Sequence, residues 1–197
     1  MKIIDEERRK DIFSLISGYL KDELILLQPL RLKIEDNIGG QVCKATIQLK
    51  ENNVKKTLTS TGAGAVESIF DALMGHYSER YCSLQTIKFA EFDIKTNFRS
   101  KSRGSSGADA RCEVRISLTN ASRNPMLFVG RSRSLSGAIA QSVVDAYQYY
   151  INAEKCFLKV RGLLDEARSR NRGDIMAKLT YDLTELVSVT NYDTLGF

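Results

Sequence analysis

The sequence predicts an α+β domain built as a tandem, pseudo-symmetric βββα repeat of two units, with an N-terminal helix before it and a helical tail after it. Three observations carry this. The order strand, strand, strand, helix occurs twice, first by period-2 and then by period-3.6 placement of apolar residues. Laying QVCKATIQL over ARCEVRISL puts Cys43 on Cys112, Ile47 on Ile116 and Leu49 on Leu118, an offset of 69, and the helices pair Ile69 with Ile139 and Tyr77 with Tyr147 at an offset of 70. Finally, each strand-to-helix passage is a Gly/Ser corner, Thr61-Gly-Ala-Gly-Ala-Val-Glu-Ser68 in one unit and Val129-Gly-Arg-Ser-Arg-Ser-Leu-Ser136 in the other.

The elements follow in order. Over residues 5–26, Ile12, Leu15, Ile16, Tyr19 and Leu20 recur at steps of three and four, a helix with one apolar stripe that ends by Pro29. Strands are expected at 30–34, with Leu30, Leu32 and Ile34 on one face, at 42–49, where Cys43, Ala45, Ile47 and Leu49 alternate, and at 54–61. Asp36-Asn-Ile-Gly-Gly40 and Glu51-Asn-Asn53 are the hairpin turns. A helix runs from Val66 to about Glu79. In the second unit a strand is expected at 84–96, with Ile87, Phe89 and Glu91 on one face and Lys88, Ala90, Phe92 and Ile94 on the other. Strands at 110–118 and 126–130 and a helix at 134–152 complete it. Helical spacing continues over 153–170, and after Gly173 a last amphipathic piece covers 175–189. The resulting division is 1–27, then a double unit over 28–155 (28–80 and 81–155), then a tail over 156–197 that either packs on the core or clasps a second subunit.

Composition narrows the function classes. The chain has 197 residues, 43% hydrophobic and 27% charged, with no apolar run near the roughly 20 residues of a membrane span, so a soluble, cytoplasmic protein without membrane association is expected. Cys43, Cys82, Cys112 and Cys156 lack Cys-x-x-Cys spacing and read as reduced structural thiols. His76 is the only histidine, which argues against an imidazole-based metal site, and no cofactor is implied. There is no nucleophile elbow, no Gly-Lys-Ser/Thr phosphate loop and no informative carboxylate pair, which favours a binding or regulatory module over an enzyme. The net charge of +5 permits an anionic partner.

Candidate binding residues cluster at the two corners. Gly62, Gly64, Ala65 and Val66 open the first helix, where backbone N–H groups and the helix dipole can hold a carboxylate or phosphate; the same glycines equally serve a strand-to-helix corner. Ser134 and Ser136 stand at the equivalent helix start, as N-cap or as part of a shared anion site. Asp109 either caps the turn before the 110–118 strand or accepts a ligand ammonium. Residues 97–107 with Arg123, Arg131 and Arg133 make a cationic cluster that is either a solvated loop or a phosphate contact.

At these residues the chain resembles the C-terminal regulatory domain of 2-isopropylmalate synthase and its citramalate synthase relatives. That family has a Gly-x-Gly-Pro-Val-Asp-Ala corner, a Gly-x-Asp-Ala-x-x-x-Val turn into a strand, and an Ala-Tyr with an Asn five residues after the tyrosine. Here these are Gly62-Ala-Gly-Ala-Val-Glu-Ser68, Gly107-Ala-Asp-Ala-Arg-Cys-Glu-Val114 and Ala146-Tyr147 with Asn152, covering roughly residues 28–155. Ala65 replaces the proline, and Glu67-Ser68 replace Asp-Ala. The resemblance implies a homodimer that binds a branched-chain amino acid, leucine or isoleucine, between the two units. The effector carboxylate would meet the helix starts at 64–66 and 134–136, and Val66, Ala110 and Ile139 would face its side chain. The family's catalytic barrel has no counterpart in these residues, so the resemblance implies a regulatory module acting on a separate catalytic synthase chain.

A second reading takes the helix at 66–79, the next three strands and the helix at 134–152 as the αβββα order of a double-stranded RNA-binding domain, with nucleic acid as partner. The Lys-rich start of that family's last helix is absent from Leu135 to Ala140. A third leaves a dimerising scaffold without a ligand.

Overall fold

The computed structural model describes residues 6–96, 112–119 and 125–187. Their order is α1 (Glu6–Leu20), β1 (Leu27–Asn37), β2 (Val42–Glu51), β3 (Val54–Gly62), α2 (Ala65–Tyr77), β4 (Lys88–Thr96), β5 (Cys112–Thr119), β6 (Met126–Ser132), α3 (Leu135–Ser169) and α4 (Gly173–Val187). Two separate antiparallel sheets, β1-β2-β3 and β4-β5-β6, each carry the helix that follows them: α2 lies on β2 and β3, and α3 on β5 and β6. This is the expected double βββα unit.

Alternation decides which sheet face is covered. In β2, Cys43, Ala45, Ile47 and Leu49 are buried against Ile69, Leu73 and Tyr77 of α2, while the residues between them are exposed or half-buried. Val114, Ile116 and Leu118 of β5 do the same beneath α3. Gly130 of β6 is required by the close approach of that helix, because a Cβ there would stand 1.9 Å from the Ala138 carbonyl oxygen.

Both edge strands that open a unit carry a β-bulge, at Leu30 and at Ala90, and the bulges lie opposite Leu49/Gln48 and Leu118/Ser117, positions related by the same 69-residue offset. Each bulge reverses the face assignment derived from strict alternation. Leu30 therefore leaves the Leu32/Ile34 face and is exposed, while Leu27, two residues before Pro29, turns inward. Phe89 likewise joins Phe92 and Ile94 instead of opposing them. Pro29 is accommodated because β1 is an edge strand.

Several expected boundaries move. The first helix stops at Leu20 rather than Leu26, since Lys21 takes a left-handed φ of 48° that ends the right-handed run, and the chain is extended by Leu24. Residues 84–86, expected as strand, belong to a 3₁₀ turn at Cys82–Thr86. Its Cys82 and Ser83 N–H groups donate to the buried Glu154 carboxylate at 3.1 and 3.0 Å, a local bonding pattern that a strand would break.

The expected division at 155/156 falls inside one uninterrupted 35-residue helix. The second half of α3 packs with α4 and α1, and buried residues from Ile12 to Leu186 form one continuous apolar cluster. The tail docks within its own chain: Tyr19 of α1 donates to Asp182 of α4 at 2.5 Å, and Arg8 pairs with Glu185.

Candidate functional site at the junction of the two units

The first corner is built by β3 handing its chain to α2. Gly62 ends β3 opposite Cys43, and Ser68 locks the helix to the sheet by sharing its hydroxyl proton between the Cys43 and Gly64 carbonyls, both at 2.8 Å. Gly64 is the N-cap in extended conformation and has no side chain to cap the helix. Glu67 reaches back to accept the Ala63 N–H at 2.7 Å. The first-turn N–H groups of a helix have no partner within it, so this end carries partial positive charge.

In front of the corner lies an open groove of about 560 Å³, lined by Gly64, Ala65, Val66 and Glu67 of the first unit, Phe89, Ala90, Glu91, Phe92 and Ile94 of β4, and Ile139 of α3. The groove thus joins the two repeats. Its floor is tied into the core: the Phe89 ring lies 4.6 Å from that of Phe70, which lies 5.2 Å from Tyr147, and the Tyr147 hydroxyl donates to the Phe70 carbonyl at 2.9 Å. Phe92 and Ile94 remain 45% and 41% exposed, leaving apolar surface open to a ligand or partner.

The second corner is different chemistry on the same backbone plan. Ser134 caps α3 by accepting the Gly137 N–H at 3.0 Å, and Ser132 accepts the Ser134 N–H at 3.3 Å. Ser134 and Ser136, with hydroxyls 3.5 Å apart, are not among the groove residues, nor is Gly62. Of the residues singled out from sequence, the fold brings Gly64, Ala65, Val66 and Ile139 to one groove; Asp109 and Ala110 lie outside the described residues. The β4 residues were missed because strict alternation sends Phe89 and Phe92 to opposite faces. The only signal that could have found them is the match of Pro29-Leu30 with Phe89-Ala90 opposite the paired leucines.

Near the second corner one carboxylate holds two guanidinium groups. Glu113 pairs with Arg115 at 2.7 Å and Arg131 at 2.9 Å, and these two guanidinium bonds hold its carboxyl below the ordinary range. Arg131 is therefore not a bare cation. Residues 97–107 and Arg123 lie outside the described residues. The RNA-binding reading also requires both helices on one three-stranded sheet, whereas α2 covers β2 and β3 of the other unit.

Asn152 explains the third sequence motif. Its amide accepts the Ile25 N–H at 2.8 Å and donates to the Ile25 carbonyl at 2.7 Å, pairing like a strand with the segment that leads into β1. Gln148, one turn earlier, accepts the Leu27 N–H at 2.7 Å. The helix of the second unit thus holds the first strand of the first.

Two βββα units are joined by their helices, with a groove of about 560 Å³ at the junction. Among the described residues no group of three or more His, Cys, Asp or Glu is placed to hold a metal ion, and no helix is long and apolar enough to cross a membrane. The chain belongs to the family of the LeuA allosteric (dimerisation) domain, whose family model matches residues 6–151. It is a regulatory, dimerisation-type module. No curated protein matches it. The second half of α3 and all of α4 lie beyond the matched residues.

Proposed function

We propose that this chain is a non-catalytic effector-binding and dimerisation module that takes a branched-chain amino acid in the groove between its two units. The observation that carries this reading is the pairing, in one groove, of an uncapped helix start at Gly64–Val66 with an apolar wall of Phe89, Phe92, Ile94 and Ile139. A carboxylate suits the first and a branched aliphatic side chain the second. Glu91 and Glu67, on the same groove, are the partners available to the ammonium. The module forms a homodimer and acts on a separate catalytic synthase chain by binding its effector better in one state than another.

The test is calorimetry and thermal shift with leucine, isoleucine and valine on the wild type and on Gly64→Leu. A Cβ at Gly64 meets no atom within 4 Å, so the fold tolerates the substitution while the added side chain stands at the groove. A ligand that binds only the folded state at a hundredfold its Kd adds about 2.7 kcal/mol of stability. One of the three amino acids is expected to give such a shift, lost in Gly64→Leu. No response to any of them removes the effector-binding half, leaving a dimerising scaffold, and a purely monomeric mass by light scattering removes the dimer half.

A further inference from the structure

The outer faces of the two sheets, turned away from α2 and α3, carry different chemistry on one plan. Alternation sets Arg31, Lys33 and Glu35 of β1, Lys44 and Lys50 of β2 and Lys55 of β3 on the side opposite the buried Ala45, Ile47 and Leu49. All are exposed except Lys50, which is half-buried. The places between them hold threonine and glutamine, where the Thr59 hydroxyl donates to that of Thr46 at 3.1 Å. The strands β1–β3 and their turns contain no aromatic residue. The nearest exposed apolar side chains are Leu30 at the bulge and Val42 at the start of β2.

Lys33 pairs with Glu35 at 3.0 Å, whereas the side chains of Arg31, Lys44, Lys50 and Lys55 make no ion pair among the described residues. Lys50 and Lys55 stand directly opposite each other across β2 and β3, a like-charge pairing that works against the sheet. Nor does the repeat itself require cations here. The corresponding register positions of the second sheet hold Glu91 for Arg31, Asp93 for Lys33 and Glu113 for Lys44. A basic face that costs stability, and that its twin lacks, is accounted for by an anionic partner.

We propose that the outer face of β1–β3 docks duplex DNA through its phosphates, without reading sequence. Lysine, arginine, threonine and glutamine are the side chains that contact phosphate oxygens. A second copy of the chain would bring like charge to like, and another protein would find none of the aromatic anchors that such interfaces use. A membrane requires an apolar face to bury, and a single strand requires aromatic rings on which its bases stack. Duplex RNA is gripped across two successive minor grooves over about 16 base pairs. At about 3.4 Å per residue the run from Lys44 to Lys50 covers about 20 Å, and three strands spaced by about 4.8 Å cover about 10 Å. That area suits one stretch of DNA backbone and is too short for the RNA mode.

The test follows the fluorescence anisotropy of a labelled duplex of about 20 base pairs and mixed sequence, with the full chain, between about 50 and about 200 mM salt. Each phosphate neutralised contributes about −0.9 to the slope of log K against log salt, so the five cations give about −4.5 for each chain engaged, a fall of about 500-fold over that range. Lys50→Gln with Lys55→Gln is expected to bring the slope to about −2.7 and to weaken binding about tenfold or more at the lower salt. Its Tm should be no lower than that of the wild type, because the opposed lysines are gone. Arg168→Gln with Lys178→Gln removes the same charge from exposed positions on α3 and α4 and is expected to leave slope and affinity as they were. No DNA binding at about 50 mM salt, an equal loss in both double variants, or tighter binding to duplex RNA or to phosphatidylserine vesicles overturns the proposal. The face shares no residue with the groove, so the result is independent of any amino acid response there.

Discussion

Replacing Asn152 by alanine removes one side chain and orphans two backbone groups. Asn152 is fully buried, and its amide satisfies both the N–H and the C=O of Ile25, itself 6% exposed. A buried backbone group stripped of its partner costs about 1–3 kcal/mol, so the pair costs about 2–6 kcal/mol. For a domain of this size that corresponds to a fall of roughly 5–20 °C in Tm. Chemical denaturation followed by circular dichroism reads the total, and amide hydrogen exchange reads its location. The Ile25 amide and the start of β1 should lose protection first, because the other ties on the segment between α1 and β1 lie on its neighbours: Lys155 and Lys159 on Glu23, the Asn52 side chain and backbone on Leu26, and Gln148 on Leu27. A loss below about 0.5 kcal/mol, with the Ile25 amide as protected as before, refutes the claim that Asn152 serves as a surrogate strand for the repeat junction.

Gly130→Ala should destabilise by more than the about 1–3 kcal/mol of ordinary overpacking, since the new methyl meets helix backbone rather than a movable side chain; a native-like melting curve would contradict the packing of α3 on β6. Stability should fall on acidification through the His76–Lys56–Glu51 cluster. Burial, with Lys56 adding to it, holds His76 below its ordinary 6.5, so the unfolded chain takes up the proton first and stability present above that value is lost below it. At Glu51 burial is outweighed by bonds from Lys56 and Tyr77, its pKa is lowered from 4.5, and a further loss is expected as the pH falls below that value. His76→Gln, which can still accept from Lys56 at the 3.0 Å contact, should flatten the limb near pH 6, and an unchanged slope would assign that limb to other groups. Burial, with Asp182 adding to it, pushes the Cys156 thiol up to about 12, so alkylation at pH 8 should spare it until the protein unfolds and should reach the half-buried Cys82 and Cys112 first. Labelling of Cys156 in the native protein would show that the α1–α4 packing opens.

The repeat itself was legible in the chain because β-strand alternation and helical spacing are local properties. QVCKATIQL and ARCEVRISL place apolar residues at the same alternate positions whatever surrounds them, and the Gly64 and Ser134 corners announce helix starts by their own chemistry. The candidate site was legible by halves. Gly64, Ala65, Val66 and Ile139 could be named because helix starts are visible in sequence, whereas Phe89, Phe92 and Ile94 could not. Their shared face depends on a bulge at Ala90, and a bulge is decided by how β4 registers on β5, across residues far apart in the chain. Tertiary structure alone also decided that Asn152 reaches Ile25 and that α4 closes on Tyr19 of its own chain. These are contacts between segments more than a hundred residues apart, and periodicity records which face of an element is apolar, not what covers it.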